Sequence, residues 1–348
     1  MAPFDFAGPV IEALAETGRT TADHVAFAHP KIEKLIIQGM VVGTCPRGAF
    51  CHHNMNKLPL TLLFLLGCAS VYAQTTSATT DSDQNFYARF CTQTNAIQSK
   101  QPNWPPPLVT TYTGLFQVVR FDALHQITPT LGQTWNIDNS KGVSIIPWNR
   151  TEIDVNLPPY LDHIAPSGST KPAPTNGAGD MSFLGKFRVV SANDKSGAYV
   201  ISIFALATIP TGSYKNGSTD ASVTPSLAVG KGFGPLAIQT TAGTTLYMDR
   251  PATKTTGNPV TWNLAAQYKI AKYFWPELES NATFYKGGTN HGKSQEFLTP
   301  GLLIGKLKLH PDDAHSRAGL TFGGGMQIAT STFHSYNHEL VLTARWIY

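Results

Sequence analysis

The chain ends in Glu339-Leu340-Val341-Leu342-Thr343-Ala344-Arg345-Trp346-Ile347-Tyr348, and this stretch decides the fold. Every second residue belongs to one unbroken apolar register, which consists of Leu340, Leu342, Ala344, Trp346 and Tyr348. The other register carries the polar residues Glu339, Thr343 and Arg345. Because successive side chains of a strand point to opposite faces, the alternation predicts a β-strand with one apolar and one polar face. Its length suits a transmembrane strand, which needs about 9 to 11 residues.

The same period of two recurs along the chain. Residues 262–270 place five apolar side chains in one register and Asn263, Gln267 and Lys269 in the other. About twelve such strands fit between Leu108 and Tyr348. Aromatic residues, which favour membrane interfaces, stand near strand ends at Tyr247, Trp262, Tyr273, Phe274, Trp346 and Tyr348. We therefore expect an all-β protein, a transmembrane antiparallel up-and-down β-barrel of about twelve strands. A secreted β-sandwich is the alternative.

The end of the chain also resembles the C-terminal signal by which bacterial outer-membrane barrels are recognised for assembly, although that signal more often ends in Phe. The resemblance implies that the apolar register from Leu340 to Tyr348 is an assembly signal for the barrel assembly machinery. It further implies that the protein lies in the bacterial outer membrane, with the lipid of that membrane around the barrel.

The composition excludes several classes of protein. Only 14% of the 348 residues are charged, whereas soluble proteins usually carry about 25%. With a hydrophobic fraction of 42%, the chain is neither disordered nor a long coiled coil. The net charge of +4 is too small for a nucleic-acid-binding protein. No segment has the roughly 18 consecutive apolar residues of a transmembrane helix, so any membrane span must consist of strands.

The region before the strands divides into three parts. Residues 55–73 have a positive start, an apolar core and a small-x-small site, which predict a secretory signal peptide cleaved between Ala73 and Gln74. Because such signals stand at the N-terminus, we interpret residues 1–54 as a mis-assigned start or a disordered extension. Residues 74–107 then form a polar and Pro-rich leader, and residues 108–348 form the outer-membrane barrel. A lipobox-like sequence leaves lipidation of Cys68 as an alternative.

Motifs that could indicate catalysis or ligand binding occur in contexts that argue against those roles. Gly287 to Ser294 satisfies the Walker A pattern, but proline and glycine follow within two turns and would end the helix that a P-loop needs. We therefore expect no nucleotide binding there. His315-Ser316 and His334-Ser335 are adjacent pairs whose members would point to opposite faces of a strand, and Cys51-His52-His53 lacks a second ligand pair. We expect no enzyme activity, no cofactor and no metal site.

The polar registers supply the candidate functional residues. Lys or Arg on the lipid face of a membrane strand costs roughly 2 to 4 kcal/mol at the midplane, so we expect these side chains inside the barrel. The lumen-lining candidates are Glu152, Asp154, Asp180, Lys186, Arg188, Gln239, Gln267, Lys269, Glu279, Lys306, Lys308, Glu339 and Arg345. Their mixed signs predict weak ion selectivity. Alternatively, these side chains pair with one another and fill the barrel.

Several short segments resemble the outer-membrane proteins associated with the meta-pathway of phenol degradation, a family regarded as transporters. The likeness lies in Ile145-Ile146-Pro147, Arg150-Thr151-Glu152, Leu157-Pro158-Pro159-Tyr160-Leu161, Gly179-Asp180, Lys186-Phe187-Arg188 and Ala207-Thr208-Ile209-Pro210-Thr211-Gly212. The resemblance implies passive uptake of a small-molecule solute, hydrophobic or aromatic in character. A non-transporting structural barrel and a barrel-embedded lipid hydrolase are the alternatives.

Overall fold

A computed structural model of the protein describes residues 86–213, 215–312 and 316–348. Several predictions fall outside these residues: the extension 1–54, the signal peptide 55–73 with Ala73 and Gln74, the cluster Cys51-His52-His53, Cys68 and His315. They stay predictions.

The described residues contain two helices and sixteen strands. The helices are α1 (Phe86–Gln98) and α2 (Arg250–Thr256). The strands are β1 (Val118–Ile127), β2 (Gln133–Ile137), β3 (Gly142–Trp148), β4 (Thr151–Asn156), β5 (Tyr160–Ile164), β6 (Gly177–Ala178), β7 (Met181–Ala192), β8 (Tyr199–Ile209), β9 (Ser222–Phe233), β10 (Leu236–Thr244), β11 (Leu246–Tyr247), β12 (Val260–Tyr268), β13 (Phe274–Phe284), β14 (Ser294–Lys308), β15 (Gly319–Ala329) and β16 (His338–Ile347). Neither helix in the described part of the chain is long and apolar enough to cross a membrane.

The strands form one closed antiparallel barrel. Each of the twelve wall strands defined below pairs with the wall strands before and after it in the chain, and β1 closes the ring by pairing with β16 along its whole length, from Val118 opposite Ile347 to Ile127 opposite His338. β2 and β3, β4 and β5, and β6 and β7 are each two parts of one wall strand, and β11 continues β10, so the wall has twelve strands. The predicted barrel of about twelve strands is confirmed, and the β-sandwich alternative is wrong.

The outer surface of the barrel is apolar. Large hydrophobic side chains that alternate with buried ones are about half exposed on many strands, for example Phe121 (49%), Trp262 (49%), Tyr268 (49%) and Trp346 (50%). In β16, Leu342 and Trp346 are exposed while Glu339, Thr343 and Arg345 are buried, as the alternation predicts. Because β1 pairs with β16, the sheet has no free edge that would face lipid, and an apolar outer band suits lipid.

The connections divide between a short-turn rim and a long-loop rim. The turns 193–198 and 234–235 lie at one end, whereas 165–176, 210–221 and 248–259 lie at the other, which is the asymmetry of outer-membrane barrels. The connection 248–259 contains α2, which has Pro251 in its first turn, where the missing N–H costs no helical hydrogen bond.

Three neighbouring wall strands are interrupted at the same level. Ile137 pairs with Tyr160 and Gly142 with Asn156, and residues 138–141 and 157–159 between these pairs depart from the regular ladder, although the Leu157 N–H still donates to the Lys141 carbonyl at 3.0 Å. Pro158 and Pro159 have no backbone N–H to donate, and Asp138, Asn139 and Ser140 adopt positive φ angles of 79°, 46° and 49°. The wall between β1 and β7 therefore lacks regular strand pairing at this level.

Residues 101–117, here called the plug, run through the lumen before β1 begins at Val118. Trp104, Leu108, Tyr112 and Phe116 of the plug form the buried core together with wall residues such as Leu303. The first wall strand thus starts ten residues after the predicted start of the barrel at Leu108. The apolar core of this barrel is the contact between plug and wall.

Candidate functional site: the plugged lumen

The first part of the plug offers carbonyl groups, and the wall supplies donors to them. Pro105, Pro106 and Pro107 have no backbone N–H, so this stretch can only accept hydrogen bonds. Arg345 on β16 donates from Nη2 to the Pro107 carbonyl at 2.7 Å and from Nη1 to the Pro106 carbonyl. Gln239 on β10 donates from Nε2 to the Pro105 carbonyl at 3.4 Å. A guanidinium has several hydrogen-bond donors and no acceptor, so it is complementary to a run of prolines, whose backbone has acceptors and no donors.

The next three plug residues carry N–H groups, and the wall presents carboxylates to them. The Leu108 N–H donates to Glu277 Oε1 at 3.0 Å. The N–H groups of Val109 and Thr110 donate to the two carboxylate oxygens of Glu279, at 2.8 and 2.6 Å. Both glutamates lie on β13, two residues apart, so they share the inward face of one strand. Hydrogen bonds to charged groups are the stronger kind, so these carboxylates hold the middle of the plug.

The last part of the plug lies against a buried ion pair. Lys186 Nζ lies 2.6 Å from Glu152 Oε1, and both side chains are almost fully buried. Lys186 also donates to the Gly114 carbonyl at 3.1 Å, and the Phe116 N–H donates to Glu152 Oε2. Each member of the pair thus contacts plug backbone as well as its partner, which satisfies donors and acceptors that burial would otherwise penalise.

A fourth contact ties the plug to α1. Arg188 on β7 donates from Nη1 to the Ile97 carbonyl of α1 at 2.9 Å and to Gln101 Oε1 at 2.8 Å. Gln101 in turn accepts from the Leu115 N–H at 3.0 Å and donates to the Leu115 carbonyl at 2.8 Å. The end of α1 and both ends of the plug are therefore connected through one buried arginine.

The predicted lumen-lining residues fall into three groups. Eight are buried within the barrel: Glu152, Lys186, Arg188, Gln239, Gln267, Glu279, Glu339 and Arg345. Asp154 and Lys306 are half-buried on β4 and β14. Asp180, Lys269 and Lys308 lie at the rims instead.

The rim positions have physical reasons. Asp180 accepts from the N–H groups of Gly212 (2.9 Å) and Ser218 (2.6 Å), so it organises the loop 210–221. Lys269 follows the last residue of β12 and is exposed, with its ammonium 5.5 Å from the ring centre of Trp275. Lys308 ends β14 and is also exposed. These residues continue the polar pattern of their strands beyond the part that encloses the lumen.

The sequence reasoning missed two features of the lumen. Glu277 is buried and binds the plug, and the period of two that indicated Glu279 applies equally to Glu277. The ion pair of Arg120 with Asp122, at 2.8 Å, lies inside β1, and Arg120 Nη2 also donates to the Leu108 carbonyl at 2.5 Å. Residues 108–122 do not alternate regularly, because the first ten of them belong to the plug. The sequence pattern therefore did not indicate that Arg120 and Asp122 share the inward face of β1.

A cavity of about 300 Å³ lies between the plug and the long-loop rim. Its floor is formed by Leu108 and Val109 of the plug. Its wall comes from five consecutive strands, β13 to β16 and β1, and from the interrupted stretch between β2 and β3, which contributes Asn139 and Lys141. The cavity therefore borders both the plug and the interruption of the wall.

The residues 287–294 that match the Walker A pattern form a hairpin loop between β13 and β14. Gly287, Gly288 and Gly292 adopt positive φ angles of 78°, 67° and 79°, and Ser294 begins β14 rather than a helix. A P-loop places a helix N-terminus at this position. The segment therefore lacks the helix that a P-loop requires. His334 also lies in a loop, where its ring contacts the Ser331 carbonyl and Asn337 Oδ1, at 2.7 and 3.1 Å.

Comparison with known proteins identifies the family. A family model described as "Putative MetA-pathway of phenol degradation" matches residues 94–305, which is more than half of the chain. The chain belongs to this family. The phenol-degradation family model covers the end of α1, the whole plug and the wall as far as β14. With its closed barrel and apolar outer band, this member is a bacterial outer-membrane protein.

Solved structures resemble this family member at low identity. An outer membrane channel from Pseudomonas putida F1 aligns with a TM-score of 0.46 and 13% identity, covering 70% of this chain and 99% of that chain. The channel DcaP of Acinetobacter baumannii aligns with a TM-score of 0.28 and 10% identity, covering 68% and 96%. A loop-deletion mutant of OmpT, an outer membrane protein of Vibrio cholerae, aligns with a TM-score of 0.27 and 8% identity, covering 67% and 97%. No curated protein sequence matches this chain.

Proposed function

We propose that the protein is a passive channel for small hydrophobic or aromatic compounds across the outer membrane, with the plug closing the lumen in the resting state. The observation that carries the proposal is the cavity of about 300 Å³ above the plug, inside a closed barrel. It is large enough for a compound of one aromatic ring and too small for a folded partner. The aromatic character of the solute is supported by the family description alone.

The attachment of the plug supports a channel that opens. The plug is held by side chains such as Arg345, Glu277, Glu279 and Lys186, and none of its residues belongs to a wall strand. Displacing it would break these hydrogen bonds and leave every strand pairing intact. Since a net hydrogen bond is worth roughly 1 kcal/mol, and charged ones about 1.5 to 3 kcal/mol, displacing a few plug residues costs much less than removing the whole plug with its apolar core.

The cavity lining supports a solute that is not strongly charged. Leu108, Leu124, Phe297 and Val341 contribute apolar surface, amide side chains contribute neutral polar groups, and one basic and one acidic residue, Lys141 and Glu339, balance each other in charge. The buried charges deeper in the barrel are occupied by the plug, which favours weak ion selectivity for a path beside it.

Permeation through proteoliposomes tests the proposal. Liposome swelling should report uptake of phenol-sized solutes and exclude sugars larger than the cavity, and planar bilayers should show small, weakly selective conductance. A double variant, Glu277→Gln with Glu279→Gln, should raise both signals because it weakens the hold on the plug. If neither wild type nor the double variant passes any solute, the protein is a non-transporting structural barrel.

A further inference from the structure

The short-turn rim of the barrel carries an excess of basic side chains. Among the described residues, its exposed acidic side chains are those of Asp194 and Asp312, and the neighbouring Asp313 lies outside these residues. Lys306 and Arg317 are half-buried at the same rim. The exposed basic residues stand on the turns, on adjoining strand ends and directly before the plug, and they are Lys100, Arg150, Lys195, Lys231, Lys269, Lys272 and Lys308.

The long-loop rim has no such excess. In the part of the chain that the structure describes, its basic and acidic residues are equal in number. The basic ones are Lys171, Lys215, Lys254, Lys286 and Lys293, and the acidic ones are Asp162, Asp180, Asp220, Asp249 and Glu296. Because the two rims of a membrane barrel lie in the headgroup regions of opposite leaflets, the excess charge of the short-turn rim faces one leaflet alone.

The positive charges of the short-turn rim are not compensated by ion pairs within the described residues. The two ion pairs found there lie inside the barrel, on β1 and between β4 and β7. Lys231 instead donates to the Gly197 carbonyl at 2.6 Å, which is a neutral partner. Asp194 accepts from the Asn103 N–H at 3.4 Å, also a neutral partner. The charge of this rim is therefore available to a negatively charged partner.

The basic residue on β9 stands on the lipid-facing side of the wall. Gly230 and Gly232 lie against Trp104 of the plug, so they belong to the inward register of β9. Lys231 and Phe233 alternate with them, are exposed and therefore point outward. The Lys231 ammonium lies 5.7 Å from the centre of the Phe233 ring. A charge and an aromatic ring thus share the outer edge of the apolar band.

Two other turns of this rim repeat the combination. The Lys272 ammonium lies 5.0 Å from the ring centre of Tyr273, and the next residue, Phe274, is exposed. Arg150 is exposed two residues after the exposed Trp148. A long basic side chain at the edge of a membrane can lay its stem on apolar surface while its charge stays among the headgroups. The rim is therefore suited to contact lipid with both parts of the molecule.

We propose that the short-turn rim binds anionic phospholipids of the periplasmic leaflet, with the phosphate groups at Arg150, Lys231 and Lys272 and the acyl chains on the adjoining aromatic side chains. Outer-membrane barrels have their short turns on the periplasmic side, where phospholipids form the leaflet. The outward position of Lys231 and Phe233 favours a lipid over an acidic periplasmic protein, because this face of the wall borders the bilayer.

Native mass spectrometry of the full chain, released from micelles that contain equal amounts of phosphatidylglycerol and phosphatidylcholine, tests the proposal. The two lipids have the same acyl chains and differ in headgroup charge. Wild type should retain phosphatidylglycerol about fivefold more often, the factor expected for one basic residue at an anionic membrane surface. In the rim variant Arg150→Gln/Lys231→Gln/Lys272→Gln, the ratio of the two bound lipids should fall to about one.

The matched control is Lys171→Gln/Lys254→Gln/Lys286→Gln at the long-loop rim. These three lysines are exposed, and their replacement removes the same net charge as the rim variant does. The control should keep the lipid preference of wild type. Heat-modifiable migration on gels shows whether each variant is folded.

Four results would overturn the proposal. Three concern the lipids: equal retention of both lipids by wild type, an unchanged preference in the rim variant, or an equal loss of preference in the control, which would indicate net charge alone. The fourth is tighter binding of a soluble hexaglutamate peptide than of phosphatidylglycerol, which would indicate an acidic protein as the partner. The lipid preference does not depend on transport, so liposome swelling tests the channel separately.

Discussion

Arg345 donates a hydrogen bond of 2.7 Å to the carbonyl of Pro107, a residue 238 positions earlier in the chain. The same guanidinium reaches Pro106, and it is fully buried between β16 and the plug. The prolines, whose backbone offers only carbonyl groups, face the guanidinium, and the N–H groups of the residues directly after Pro107 face the carboxylates of Glu277 and Glu279. The signs of the lumen charges thus follow the hydrogen-bonding capacity of the plug.

Arg345→Lys should destabilise the barrel although the charge is retained. A lysine has one ammonium in place of the planar fork and cannot satisfy both proline carbonyls with the same geometry. Leaving one of them unsatisfied should cost about 1 to 3 kcal/mol. The loss of stability is measured by heating samples before electrophoresis and finding the temperature at which half of the protein has shifted from the folded to the unfolded position on the gel. Arg150→Lys is the control, because Arg150 is exposed and its one described side-chain hydrogen bond, to the Val189 carbonyl, is 3.4 Å long.

Replacing Glu277 and Glu279 by Gln should increase channel opening. Each substitution removes a charged acceptor, and a loss of ~1 kcal/mol in plug binding raises the displaced population about fivefold. Single-channel recordings should show a higher open probability at unchanged thermal stability of the wall. Glu296→Gln should behave as wild type; an equal rise in that variant would indicate a general effect of charge.

Lys186→Met should be more damaging than the double change Lys186→Met with Glu152→Leu. Removing one member of a buried ion pair costs about 3 to 5 kcal/mol because the remaining charge is uncompensated. The double variant loses the ion pair but leaves no isolated charge, so the two effects should not add. Unfolding in urea, followed by tryptophan fluorescence, gives the free energies of unfolding of four proteins: the wild type, Lys186→Met, Glu152→Leu and the double variant. Simple additivity would mean that the 2.6 Å contact contributes little coupling.

Deleting residues 346–348 should prevent assembly of the barrel. Trp346 pairs with Val119 on one side and Leu320 on the other, and Ile347 pairs with Val118 and Gly319. The deletion therefore removes the closing pairs at the short-turn rim as well as the terminal aromatic residue of the predicted assembly signal. Membrane fractions should lack a heat-modifiable form. Normal assembly of the truncated chain would show that the signal lies elsewhere.

The native protein should begin at Gln74 after cleavage behind Ala73. The positive residue, the apolar core and the small-x-small site stand in the spacing that signal peptidase requires. Mass spectrometry of protein from outer membranes gives the N-terminal peptide. Peptides from 1–54 in the mature protein would contradict this interpretation, and acylated Cys68 would replace it by a lipoprotein.

The wall could be predicted from the sequence, and the plug could not. Alternation with a period of two indicates which face of a strand contacts lipid. Lys186, Gln267 and Arg345 alternate with apolar residues, so they were expected on the opposite face, and they are buried there. The plug contacts wall residues on all sides, so its buried residues have no regular spacing in the sequence. Its partners come from β4, β7, β10, β13 and β16, and such long-range pairings leave no trace in local sequence.

The place of Arg345 on β16 also couples closure of the wall to closure of the lumen. This strand carries the donors for Pro106 and Pro107. It also completes the ring by pairing with β1. The same ten residues thus close the cylinder and hold the prolines of the plug, so a barrel in which β16 is detached is both open along its seam and without the arginine that binds Pro106 and Pro107.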